Sequence, residues 1–370
     1  MRINKTIITV LFFVITISGW AQVLKEKEYS ANKVLLAEGE SYKDGKRDGF
    51  WKLYTINGEI DQEGKYEAGI QQGAWKRYDP TSKNLIEEVV YVNNIADGPY
   101  KSYHVSGKKS RRRHFFKGVQ VGEWKIYYDN ETNHLASKGT YANGKKDGVW
   151  THYYDAPGNL VKETGPIKND LRHGKWQVFY PTAKAVLLSE GEYVKGAKQG
   201  VWTVYHEEPN TLYTRLTYIA DMEQDSFISY YPTGSLHERG FYANGKLNGR
   251  FEEFYPDGKR KQEGSYEYGI KTGFWKQYAE TGLLSIKGLY ENGKANGMWS
   301  YYKANGGLEY EQEFVKGEMK GIRQEYYPNG KLQARGLMSY MGKNGLWLYF
   351  NEDGSVLKKE NWQHGKLLAE

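Results

Sequence analysis

The chain has no cysteine among its 370 residues, so it has neither a disulfide framework nor a lipid-attachable cysteine behind an export signal. Its apolar stretch at residues 6–17 falls short of the roughly 20 residues that a bilayer-spanning helix needs. Catalytic signatures are missing as well. There is no Gly-x-Ser-x-Gly, no phosphate-cradling glycine loop ahead of a helix, and no nucleophile beside a base. The eight histidines, at 104, 114, 134, 152, 173, 206, 237 and 364, show no metal-site spacing. A recurring Glu-Gly, as in Glu63-Gly64 and Glu263-Gly264, reads as sheet periodicity rather than a general-acid pair. These absences predict a protein without enzymatic activity, cofactor or metal.

The N-terminus carries Arg2 and Lys5, then the apolar stretch, then Ser18-Gly19-Trp20-Ala21 with small residues at the expected cut. That is the pattern of a secretory signal peptide, residues 1–21, cleaved before Gln22. The mature protein is therefore expected in the periplasm or outside the cell, with no stable membrane insertion. Cleavage removes two positive charges from a formal +7 and leaves +5, a mild balance carried mostly by solvated turn lysines.

What the sequence has instead is a repeat. With Gly249 as anchor, a Tyr lies seven residues before, an aromatic two after, another aromatic five after, and a Pro-Asp-Gly turn ends nine after. The same frame recurs at Gly49, Gly73, Gly98, Gly122, Gly148, Gly174, Gly200, Asp225, Gly273, Gly297, Gly321 and Gly345. A fixed period of this length signals stacked supersecondary units, each too small to bury a core alone. The unit is a β-hairpin: residues 250–255, the Pro256-Asp257-Gly258 reversal, then residues 260–266. The polar segment before the next anchor, such as residues 243–248 with Asn244-Gly245 inside, reads as a loop.

Residues 22–33 are expected as a short leader, and residues 34–370 as the array, opening and closing on half-units. Thirteen first-type and fourteen second-type strands make 27, an array on the order of 130 Å at about 4.8 Å per strand. Open sheets of that size need curling, splitting or side-chain ladders. The ladder is aromatic: Trp51, Trp75, Trp124, Trp150, Trp176, Trp202, Trp275, Trp299 and Trp347 all lie two after an anchor. They read as the array's core, with ligand stacking as the alternative. The aromatic five after the anchor belongs on the opposite face unless a bulge intervenes.

The copies from Gly122 to Gly200 are longer, with extra residues at tips 129–134, 155–159, 181–184 and 206–211. Insertions confined to one edge of a stack mark a possible contact edge. The one charge run, Lys108, Lys109, Arg111, Arg112 and Arg113, puts Arg111 and Arg113 on one face and Arg112 on the other. That is a poor phosphate groove, so nucleic acid is not expected as a partner, and an anionic contact is the alternative to a solvated face.

The frame resembles the MORN repeat in its bacterial variant form, which includes the YwqK-type antitoxins. Tyr141-Ala142-Asn143-Gly144-Lys145-Lys146-Asp147-Gly148 matches the Tyr-x-x-Gly-x-x-x-Gly core, and Gly148-Val149-Trp150-Thr151-His152-Tyr153 matches the variant's Gly-x-Trp-x-x-Tyr. Departures are Asp225 for the anchor glycine, Arg323 at the Trp position and Ile167 at the Tyr position. The resemblance implies an elongated all-β antiparallel sheet used as a scaffold or contact surface. The expected function is therefore a non-enzymatic scaffold binding a protein partner in the cell envelope, with Trp124, Trp150, Trp176 and Trp202 as central contacts. The alternatives are a module for envelope polysaccharide or an anionic lipid surface, and an antitoxin-like protein that neutralises a partner.

Overall fold

The computed structural model describes residues 25–368; the expected signal peptide lies outside them. Among the described residues the chain is all-β and antiparallel, with no helix. It divides into two compact units between Val186 and Leu187. Within each unit, strands adjacent in sequence pair as neighbours, as in Lys46–Tyr54 with Ile60–Glu67 and Ile60–Glu67 with Ile70–Tyr78. The sheet is not closed: Glu26–Tyr29 pairs only with Leu35–Lys43.

The described residues hold 32 strands rather than 27. One of the additional five is Glu26–Tyr29, inside the segment expected as leader. Its Glu28 accepts from Arg47 Nη2 at 2.7 Å and from the Tyr42 hydroxyl at 3.0 Å, which ties it to the first full repeat. The other four are the two-residue stretches Lys145–Lys146, Leu171–Arg172, Lys246–Leu247 and Lys366–Leu367.

Those short strands correct the reading of residues 243–248 as a loop. Tyr242 pairs with Leu247 and Ala243 with Lys246, leaving only Asn244-Gly245 unpaired. Both turn residues have positive φ, 51° and 74°, which is the type I′ geometry that matches the twist of flanking strands. The anchor follows as a bulge. Gly273 has φ 67°, and the register between Arg260–Glu267 and Ile270–Tyr278 shifts between Glu263 and Ser265. Asp225 holds the same left-handed conformation at φ 65°, which aspartate tolerates better than most side chains. The copy it anchors keeps its ladder.

Copies are stapled at both hairpin ends. At the tips, the Tyr six after the anchor donates to a carbonyl of the next copy: Tyr128 to Tyr153 at 2.9 Å, Tyr255 to Tyr278 at 2.9 Å, Tyr327 to Phe350 at 2.8 Å. His104 and His206 occupy that position elsewhere and reach Tyr127 and Tyr230 carbonyls through Nε2 at 3.1 and 2.9 Å. At the turns, the Gly269 N–H donates to Leu247 at 2.8 Å and Gly293 to Lys271 at 3.1 Å. Backbone groups at the sheet margin thus find partners in the adjacent copy.

Candidate binding faces

The Trp face is built from pairs. Trp275 lies over Gly264, which sits at the register shift of the preceding strand, and a Cβ added at Gly264 would sit 2.2 Å from the indole. Gly39 with Trp51, Gly64 with Trp75, Gly139 with Trp150 and Gly288 with Trp299 repeat the arrangement. The recurrent Glu-Gly therefore has a packing reason: its glycine is the bed on which the next tryptophan lies. The indole N–H donates to the carbonyl of the residue after that glycine, as from Trp275 to Ser265 at 3.2 Å and from Trp347 to Leu337 at 2.9 Å. A Tyr packs edge-on, Tyr266 at 5.1 Å and 83° to Trp275.

A cation two before the anchor covers the other ring face. Lys271 Nζ lies 3.9 Å from the Trp275 centroid, Lys343 4.1 Å from Trp347, Lys146 4.2 Å from Trp150, and the Arg172 guanidinium 4.3 Å from Trp176. The aliphatic stems extend over the ring while the charge is held by its quadrupole. Burying such an indole removes roughly 150–250 Å² from water, at most about 4–6 kcal/mol per ring.

This geometry decides where the four expected contact tryptophans stand. Trp150, Trp176 and Trp202 are 1%, 0% and 3% exposed, closed between a glycine bed and a Lys or Arg lid, and they present no ring face to a partner. Trp124 is half-buried because its bed is not glycine: Arg113 stands there, across from Tyr100. The Arg113 guanidinium lies 4.9 Å from the Tyr100 ring and 4.7 Å from Trp124, and burial lowers its pKa. Trp124 stacks on Tyr141 at 4.3 Å instead, and its indole N–H has no hydrogen-bond partner among the described residues.

The remaining charge-run residues separate. Lys108 Nζ donates to the Asn130 carbonyl at 2.7 Å, Lys109 lies 5.9 Å from the Tyr127 ring, Arg111 is exposed, and Arg112 turns to the face opposite Arg113. The longer tips are knit to adjacent copies. Asn133 Nδ2 donates to Lys109 at 2.8 Å, Asn159 Oδ1 accepts from the Leu135 N–H at 3.0 Å, and Asn210 Nδ2 donates to Leu187 at 2.9 Å. Among the described residues no cluster of His, Asp and Glu could hold a metal, and no helix is long and apolar enough to cross a membrane.

The aromatic five after the anchor belongs to the other face. Tyr54 donates to Glu38 at 2.8 Å and Tyr78 to Glu63 at 2.7 Å, and Glu38 lies across from Lys52 while Trp51 lies across from Gly39. Burial, followed by the bond to glutamate, pushes the Tyr54 and Tyr78 phenols up to about 12. Glu252 is buried on this face beside Arg239, Arg250 and Arg260 at 2.6, 2.9 and 3.1 Å. Burial alone raises its pKa, and the three guanidiniums outweigh that and hold it below the usual carboxylate range.

In seven of the thirteen copies a large exposed apolar side chain holds the position just after the anchor. Phe274 is 74% exposed, Val149 63%, Val201 57%, and Phe50, Ile322 and Leu346 between 42% and 49%. They were readable from alternation alone, since a residue beside a buried Trp points away from it. In the Asp225 copy the position is Ser226, which leaves a shallow hollow of about 570 Å³. It is bordered by Val201, Ile228 and Phe241 and by Arg215, Arg239 and Arg250.

Comparison with known proteins bears on the repeat itself. Residues 247–268 and 319–338 match the model of the MORN repeat variant. Those two segments are MORN-variant repeats. Similar solved structures include a TcdB2-TccC3-Cdc42 complex, at 10% identity over 90% of this chain and 27% of that one, TM-score 0.14. The Photorhabdus luminescens Tc holotoxin pore gives 13% identity over 92% and 23%, TM-score 0.17. Alternansucrase in complex with isomaltononaose gives 13% over 66% and 16%, TM-score 0.16. The chain thus spans about a quarter or less of those chains, and TM-scores this low carry no functional argument. A search of curated proteins finds no match.

Proposed function

We propose that this MORN-variant protein is a non-enzymatic scaffold that binds a protein partner in the cell envelope through the face opposite its tryptophans. The observation that carries this is the exposed apolar residue after the anchor, present as Phe50, Val149, Val201, Phe274, Met298, Ile322 and Leu346. From Phe274 to Leu346 it recurs in four consecutive copies, on every second strand and about 10 Å apart, with Leu289, Glu313, Leu337 and Asn361 across from Phe274, Met298, Ile322 and Leu346. A row of large apolar side chains at a sheet surface is what protein interfaces use as anchors. The hollow at Ser226 suits a partner that inserts an apolar side chain next to a carboxylate, with Arg215 as the cation outside the Glu252 cluster. The signal-peptide pattern of residues 1–21 supports export, and with it a site of action in the periplasm or outside the cell.

The test is capture from an envelope extract with the mature protein and with Phe274→Glu/Leu346→Glu. The double variant should lose the captured protein while keeping its circular dichroism, because both side chains already face solvent. Unchanged capture would rule out the exposed face. Trp150→Ala/Trp176→Ala should instead lose the fold of its unit.

A further inference from the structure

On the face opposite the tryptophans, the first copies carry a charge zipper. Glu38, Lys52, Glu63, Lys76, Glu88 and Lys101 follow one another as direct cross-strand partners, with acid and base alternating at every step. Lys52 reaches Glu63 at 3.9 Å and Lys101 reaches Glu88 at 2.9 Å. The alternation then stops. Arg112 faces Lys101 where the pattern calls for glutamate, Lys125 faces Arg112, and Lys138 faces Lys125. Four cations on four consecutive strands thus stand directly opposite one another, which is destabilising in a sheet.

Two of the four keep a single carboxylate each, Lys101 through the Glu88 contact. Lys125 contacts Glu123 on its own strand at 2.8 Å, while Arg112 and Lys138 have no ion pair among the described residues. Arg112 also takes the place of the glutamate that receives the tyrosine hydroxyl in other copies, as Glu63 receives Tyr78. The Tyr127 hydroxyl is therefore a donor without its carboxylate, next to the cations.

We propose that Lys101, Arg112, Lys125 and Lys138, with the Tyr127 hydroxyl, form a binding site for a linear anionic polysaccharide running across the strands. This site is independent of the protein-binding row. The cations recur at about 4.8 Å, the strand spacing, so an extended polymer with one carboxylate or sulfate per sugar meets one cation per sugar or nearly so. The ladder is one residue wide and has Glu123 beside it, which favours a narrow chain over the broad plane of anionic lipid headgroups. It offers no exposed aromatic platform on which bases could stack, since Tyr103 and Tyr127 are half-buried.

The experiment measures binding of polygalacturonate to the full mature chain at two salt concentrations, with neutral dextran as blank. Arg112→Glu/Lys138→Glu restores the zipper and should weaken polygalacturonate binding at least tenfold. It should also raise the unfolding midpoint. Lys276→Glu/Lys287→Glu, an equal charge change at another cross-strand lysine pair on this face, should leave binding within twofold. Equal losses in both variants would reduce the effect to net charge and overturn the site. Anionic phospholipid vesicles or a single-stranded oligonucleotide binding as tightly, with the same dependence on Arg112 and Lys138, would overturn the polysaccharide assignment.

Discussion

The copies around Trp275 and Trp124 share a frame and differ at one bed residue. At Gly264 the absence of a side chain lets the Trp275 indole lie flat on the neighbouring strand, donate to the Ser265 carbonyl and accept Lys271 above it. At Arg113 the bed is filled, so the guanidinium inserts between Tyr100 and Trp124, and Trp124 moves onto Tyr141 with its N–H unpaired. The second solution replaces close packing with cation–π contact. Gln312 and Arg323 repeat it in another form: Gln312 is fully buried, and the Arg323 guanidinium lies 3.8 Å from the Tyr310 ring. A tryptophan in this repeat is thus only as buried as its bed residue allows.

The comparison breaks most sharply when the ring is removed. Trp275→Ala should cost about 3–5 kcal/mol, with hydrogen-exchange protection lost first in the flanking copies, as nearest-neighbour stability requires. Loss spread evenly along the chain would refute that. Next is the bed. Gly264→Ala should cost about 1–3 kcal/mol in urea unfolding, because the ring has to leave its place.

The same alanine at Arg113 sharpens the contrast. Arg113→Ala meets no packed indole and should cost only about 1–2 kcal/mol, the value of a partly desolvated cation over aromatic rings, with a shift in Trp124 fluorescence. A larger cost than at Gly264 would invert the account. Lys271→Met keeps the stem and removes the charge, so about 0.5–1 kcal/mol is expected, read as a small drop in urea midpoint.

The smallest effect is alkaline. The Tyr54 and Tyr78 phenols titrate near 12 when folded, against 10 unfolded, so folding favours their protonated form. Their contribution is complete below pH 10 and is lost as pH rises from 10 towards 12. Tyr78→Phe should flatten part of that slope.

Much of this was legible before any coordinates. The anchors, the Trp row and the two turns per repeat follow from short-range spacing, because a strand alternates with period two and a turn needs residues that accept positive φ. The contact face was not legible. Trp124, Trp150, Trp176 and Trp202 were the natural choice because exposed aromatics make good anchors. Whether an indole is exposed depends on a glycine eleven residues earlier and a cation four residues earlier, which meet it only once the strands are in register.

The period, the hairpin and the β class belong to the sequence itself, since each is set by residues within a few positions of one another. Tertiary structure decided which face is closed, where Arg112 falls opposite Lys101 and Lys125, and that the polar segment is a two-residue turn followed by a bulge. Those outcomes depend on register, and a shift of one residue would have exchanged the two faces.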